Sequence, residues 1–345
     1  MDIGAFVLGA RFPGQGHGEA LHRAVRAGEA AEAAGLSDVW LAEHHFIPYG
    51  SCPNAATLAG LLLGRTSRIG VGTAVSVLSS QHPVALGEQA ALLHLASGGR
   101  FTLGVGRGGP WVDLEVFGTG LAAFEEGFPE SLELLLRWLR EPRVGAAGPR
   151  YRFREVDVVP RPDEALDGLG GPPVMVACTS PGSVKLAARQ LLPMLLGMHC
   201  GDAEKAEAVA LWRREALAAG HDPDRVAAAA RRHVSAGVAQ IEDDRRTAAE
   251  VLLKTLPELL RTSFESYVTV DGRPGPARDP YAYTELLCKL HAVGPPRLAA
   301  DRLAATAERT GITRFALLVE GSGELSATER NVARLGEEVL PLLES

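Results

Sequence analysis

The chain has 345 residues, 35 Lys+Arg against 42 Asp+Glu, and a formal charge of −7. That length can bury a substantial core, and the acidic balance argues against a nucleic-acid partner. No apolar run approaches the ~18 residues of a membrane span. The four scattered cysteines (Cys52, Cys178, Cys200, Cys288) have no C-x-x-C pairing and suit a reduced, cytoplasmic protein.

Strand-like and helix-like segments alternate along the whole chain. Ile3–Leu8 reads as a first strand rather than a signal peptide, because no basic region precedes it. Glu19–Ala34 is an amphipathic helix ending at Gly35. Val39–Leu41 is the next strand, Asn54–Leu63 a helix closed by Gly64, and Ile69–Thr73 a third strand. Pro83 suits the first turn of a helix running to Ala96. Phe101–Val105 and Glu130–Arg140 follow as strand and helix. Tyr151–Val158, bounded by Pro149 and Pro160, reads as an excursion. Val174–Cys178, Met194–Leu196, Ser235–Gln240 and Phe315–Val319 complete the set of apolar runs. Eight βα units in one chain predict a single-domain (β/α)8 barrel spanning 1–345. Its surplus length falls in an insertion at 142–167 and in a Gly/Pro-rich segment at 268–280, which predicts a mobile lid loop.

The second strand ends in Glu43-His44-His45-Phe46. Proton-transfer groups at the C-terminal end of a barrel strand read as catalytic, although a surface histidine pair would look the same. Neighbours on a strand face opposite sides, so the two imidazoles share a pocket only if the strand has already ended. Adjacent histidines do not readily share one ion from a strand end, and no further ligand set is present, so no metal site is expected.

Gly104-Val105-Gly106-Arg107-Gly108-Gly109 ends the fourth strand. Its backbone N–H groups and one arginine can cradle an anion, but the spacing is not that of a dinucleotide fingerprint. Thr179-Ser180-Pro181-Gly182-Ser183 opens a helix after the fifth strand, where an anion site and an ordinary N-cap read alike. Gly321-Ser322-Gly323, after the last strand, is a rival phosphate loop.

Taken together, the chain resembles the bacterial luciferase-like flavin monooxygenases, most of all the luciferase alpha subunit. The resemblance is carried by Val39-Trp40-Leu41-x-Glu43-His44-His45-Phe46, Val71-Gly72-Thr73-Ala74, His82-Pro83-Val84, Gly99-Arg100-Phe101, Arg107-Gly108, Asp113, Val116-Phe117-Gly118-Thr119 and Val293-Gly294-Pro295-Pro296. It implies a barrel that binds reduced FMN at its C-terminal face and reacts with oxygen through a C4a-peroxyflavin. His44 is then the catalytic histidine, with Glu43, His45 and Asp113 tuning it and His82 near the flavin. Arg107, Cys178, Thr179, Gly182 and Ser183 fall in the phosphate region. Ala74-Val75 would form a non-proline cis peptide beneath the ring, beside Gly106.

Three positions depart from the pattern. Gly106 replaces a reactive cysteine, Glu125 stands where a second phosphate arginine is expected, and Cys178 replaces an acid. A pocket widened at Gly106 would admit a bulkier organic substrate, such as a polyketide or other secondary metabolite. Without an NAD fingerprint, FMNH2 is expected from a separate NAD(P)H:flavin reductase. A homodimer, with no nucleic-acid or membrane partner, completes the expectation. The alternatives are a deazaflavin-dependent oxidoreductase of the same superfamily and a non-catalytic flavin-binding subunit.

Overall fold

Eight short apolar runs pair side by side, each parallel to its neighbours, and the eighth returns to the first. The computed structural model describes residues 1–161, 171–273 and 278–344. The barrel strands are β1 (Asp2–Val7), β2 (Asp38–Leu41), β3 (Gly70–Thr73), β4 (Phe101–Gly106), β5 (Val174–Cys178), β6 (Met194–Leu196), β7 (Val234–Ile241) and β8 (Arg314–Leu318). They hydrogen-bond in that order, and β8 closes on β1 with Ile3 opposite Phe315. Parallel neighbours cannot be joined by a hairpin, so helices run back outside the barrel. The (β/α)8 expectation holds.

Alternation along the strands divides the apolar residues into two layers. Ile3, Ala5, Val7, Val39, Leu41, Leu103, Val105, Val176 and Cys178 face outward into the core shared with the helices. Phe6, Trp40, Met175, Leu195, Val238 and Leu318 face inward. Trp40 fills the barrel axis because its neighbours are glycines. A Cβ built on Gly72 would lie 2.5 Å from the Trp40 ring, and one on Gly4 would lie 3.0 Å from it.

Helix limits differ from the sequence reading by one or two residues. The first helix is His17–Ala33. The second is Ala55–Arg65, capped by the Asn54 side chain, which accepts from the Thr57 N–H at 2.7 Å. It runs through Gly64, and the Thr66 hydroxyl donates back to the Leu62 carbonyl at 2.7 Å. Pro83–Ala96 is as expected, and the next long helix, Phe128–Arg140, starts two residues early with Pro129 in its first turn.

The 142–167 insertion contains an antiparallel hairpin, Arg143–Ala147 with Arg152–Asp157, off the barrel. Its residues 162–167 lie outside the described residues. A short strand absent from the sequence reading, Ala292–Gly294, pairs with the end of β7. In the expected lid segment, Val268–Val270 is bonded to the loop after β4. The Val112 N–H donates to Val268 O and the Val270 N–H to Pro110 O, each at 2.8 Å. Residues 274–277 of that segment lie outside the described residues. No helix among the described residues is long and apolar enough to cross a membrane.

Candidate active site

The side chains expected from the strand ends do not share one pocket: three hollows open there, and only some of these residues line them. After β2 the chain leaves the sheet at Leu41, and Glu43, His44 and His45 diverge. The buried Glu43 carboxylate accepts from the Val77 N–H at 2.9 Å and the Ala55 N–H at 3.0 Å. It thus ties the β2 end to the segment after β3 and to the second helix. His45 lies 3.4 Å from Glu43 and edge-on to Phe117, with ring centroids 5.0 Å apart. Glu43, His45, Phe46, Ser80, Gln81 and Phe117 line a side hollow of about 460 Å³.

His44 turns the other way. Its ring centroid is 5.0 Å from that of Tyr49, and Gly50 closes over it, since a Cβ there would lie 2.8 Å from the ring. Burial, with the nearby His45, lowers its pKa to about 4. The imidazole is therefore neutral near pH 7, and its buried Nδ1 has no hydrogen-bond partner among the described residues. Asp113 opens a short helix after β4. Burial raises its pKa, the His45 charge opposes that rise, and one carboxylate oxygen has no partner among the described residues.

Above the filled barrel axis lies a mouth cavity of about 370 Å³. Its lining includes Phe6, Tyr49, Ala74, Val75, Ala177 and Thr179. The Ala74–Val75 peptide is cis, as the resemblance implied. A second cleft, about 600 Å³, shares Val75, Ala177 and Thr179 with the first and continues past Gly106, Arg107, Gly182 and Ser183. Arg107 is exposed, with its guanidinium 4.0 Å over the Phe124 ring. Glu125 faces this cleft, but so do Lys185 and Arg189. Both cations come from the helix Pro181–Arg189, whose N-terminus also opens there. Ser180 and Ser183 cap that helix reciprocally, the Thr179 and Ser180 N–H groups each donating to Ser183 Oγ at 3.2 Å.

Four sequence expectations need correction. Cys178 does not face the cleft. Alternation on β5 sends Ala177 and Thr179 inward and Cys178 into the helix-layer core, where burial pushes its thiol up to about 12. His82 lines none of the three hollows; its Nδ1 caps the helix Pro83–Ala96 by accepting from the Val84 N–H at 3.2 Å, and its ring packs on Tyr151. Gly106 does not widen the pocket, because a Cβ there would fall 2.5 Å from Val75 Cγ2. The Gly321–Gly323 loop is engaged internally. The Gly323 carbonyl accepts from Gln15 and Arg23, and the Gly321 carbonyl from Thr255. Beside it, buried Glu320 faces Arg23.

Sequence reading missed Tyr49, Ser263, Tyr267, His199 and Arg278 on the mouth cavity, and Lys185 and Arg189 on the cleft. The helical spacing of Lys185 and Arg189, four apart in the helix that opens with Thr179-Ser180, was the one usable signal.

The sequence profile described as luciferase-like monooxygenase matches residues 1–314. The chain belongs to that family. It is 28% identical over 369 aligned residues to the alkanal monooxygenase alpha chain of Photorhabdus luminescens, covering 99% of this chain and 98% of that one. Its fold superposes with a TM-score of 0.84 on a monooxygenase from Streptomyces bottropensis, at 21% identity and 99% coverage of both chains. It superposes at 0.77 on the oxygenating constituent of 3,6-diketocamphane monooxygenase from Pseudomonas putida in complex with FMN, at 19% identity, covering 99% of this chain and 98% of that one. An F420-dependent secondary alcohol dehydrogenase gives 0.75 at 16% identity, with 100% and 99% coverage. The chain is thus a flavin-type oxidoreductase of the luciferase-like family.

Proposed function

We propose that this chain is the oxygenase of a two-component system, taking FMNH2 from a separate NAD(P)H:flavin reductase and using oxygen to oxygenate an apolar organic molecule. The observation that carries this reading is the meeting of two unlike hollows at Val75, Ala177 and Thr179. One is apolar and suits a flavin ring with a substrate beside it. The other presents Arg107, Lys185, Arg189 and a helix N-terminus, which suit a phosphate. Bound there, reduced flavin would supply the oxygen-activating chemistry. The chain's own work is to hold the phosphate at Arg107 and the helix N-terminus, support the ring on Val75, and exclude water. His44, neutral and packed beside Tyr49 of the mouth lining, would accept or donate a proton at the reacting edge. The segment 268–280 serves as a lid over this mouth.

The expected homodimer is favoured by Leu61 and Leu92, which are exposed on the neighbouring helices Ala55–Arg65 and Pro83–Ala96. Sedimentation at micromolar concentration tests it. The deazaflavin reading has one observation in its favour: Lys185 and Arg189 extend the cationic wall beyond what one phosphate needs. Titrating the purified chain with FMN and with F420 separates the two. Reduced FMN together with isotopically labelled oxygen should then place label in an apolar ketone or phenol. Binding of F420 without FMN would overturn the proposal.

A further inference from the structure

The mouth cavity is lined mostly by carbon, with Phe6, Leu195, Leu256, Leu260, Phe264 and Leu318 among its walls. Against this lining, the hydroxyls of Tyr49 and Tyr267 lie 3.1 Å apart. The two residues are 218 positions apart in sequence. Tyr49 comes from the loop after β2, and Tyr267 caps the C-terminus of the long helix Arg245–Ser266. Tyr267 is fixed from behind by Trp111, whose ring centroid is 4.3 Å from its own, and by the two backbone bonds joining Val268–Val270 to Pro110–Val112. Such anchoring on two sides is more than an incidental surface tyrosine needs.

Ser263 joins the pair as a third hydroxyl, hydrogen-bonded to both phenols. Burial lifts both phenols above their ordinary pKa, so each keeps its proton. One O–H is used between the two rings. The other can return to Ser263 Oγ, so the three hydroxyls satisfy one another until an incoming acceptor takes one phenol proton. In an apolar pocket such a hydroxyl cluster favours a ligand with an acceptor over one without, because only the first adds a hydrogen bond.

We infer that the Tyr49–Tyr267 pair is the specificity-determining donor of this cavity, holding the carbonyl oxygen of an apolar, ring-sized substrate. The inference rests on the proposed function in placing substrate and flavin ring in the same mouth, and it adds the chemical class of the substrate. Neither tyrosine carries out the chemistry; the pair positions the carbonyl.

The test compares 9-fluorenone with fluorene, two planar molecules of one carbon skeleton that differ by a single carbonyl, in equilibrium dialysis against the full chain. Wild type is expected to prefer fluorenone about tenfold, the scale of one well-made hydrogen bond. Tyr49→Phe and Tyr267→Phe should each shrink that ratio, and the double variant should abolish it while binding fluorene as wild type does. The carbonyl stretch of bound fluorenone should shift to lower wavenumber in wild type and not in the double variant. Equal binding of the two probes, no binding of either, or a preference that survives in the double variant would overturn the inference. A separate titration with FMN reports on the flavin reading alone, so failure of one is distinguishable from failure of the other.

Discussion

Val75 occupies the space that a side chain at position 106 would need: the distance from its Cγ2 to a Cβ built on Gly106 is 2.5 Å. The shared wall of the two hollows is therefore packed through this pair. Gly106→Ala should cost about 1–3 kcal/mol by overpacking and weaken FMN binding, because Val75 must move. Adding Val75→Ala should restore most of the stability. Thermal melts and a flavin titration of the two variants check both statements.

His44 should matter for turnover far more than for binding. His44→Ala is expected to leave the FMN dissociation constant within a few-fold and to cut oxygenated product about 10²–10⁴-fold, with hydrogen peroxide rising in its place. Its folded pKa of about 4 lies below the ordinary 6.5. The unfolded chain therefore binds the extra proton first, and stability is lost as pH falls from 6.5 toward about 4. Buried His291, also lowered to about 4, adds to the same loss. Denaturant midpoints across that range should show a shallower acid slope in His44→Gln than in wild type. An unchanged slope would put the histidine in solvent.

The phosphate cleft can be tested by charge. Arg107→Ala should weaken FMN by about 1.5–3 kcal/mol, the worth of a charged hydrogen bond, while leaving riboflavin nearly unaffected. Glu125→Gln should tighten FMN by removing a like charge from the same wall, and Lys185→Ala combined with Arg189→Ala should loosen it. Equal losses for FMN and riboflavin in Arg107→Ala would move the phosphate away from this cleft.

Lys205 lies on the far side of β7, buried, its ammonium donating to Ser235 Oγ at 2.8 Å and Ala236 O at 2.9 Å. Burial lowers its pKa from 10.5 to about 8. Between those values the unfolded chain holds more protons, so the penalty of burying this charge is full below about pH 8 and is relieved as pH rises toward 10.5. Lys205→Met should therefore raise the unfolding free energy at pH 7 by about 1–2 kcal/mol, with the advantage shrinking by pH 10. A constant difference across that range would contradict the assignment.

The period of the apolar runs and the proline and glycine stops were enough to count eight βα units and to place most helices within two residues. The octet at Val39–Phe46 located the mouth of the barrel. Side-chain direction was harder to read. Strand alternation, applied to Ala177-Cys178-Thr179, would have turned Cys178 outward, but its place in the family pattern favoured the pocket. At Gly106 the missing information was a contact with Val75, 31 residues earlier, which no local pattern encodes. Tyr49 and Tyr267 meet only because the chain closes on itself across 218 residues, so neither carried a signal of its own. His82 was misread because a ring at a helix N-cap and a ring near a ligand look identical in sequence.

With the Trp40 indole laid across Gly4 and Gly72, the barrel works from one side only. The strands begin on the opposite side, at Asp2, Asp38 and Gly70, where Arg314 pairs with Asp2 and Asp38. Met1 is exposed next to them. An attachment at Met1, whether a dye, a surface tether or a fused reductase, would hang from the closed end and leave the mouth cavity facing solution.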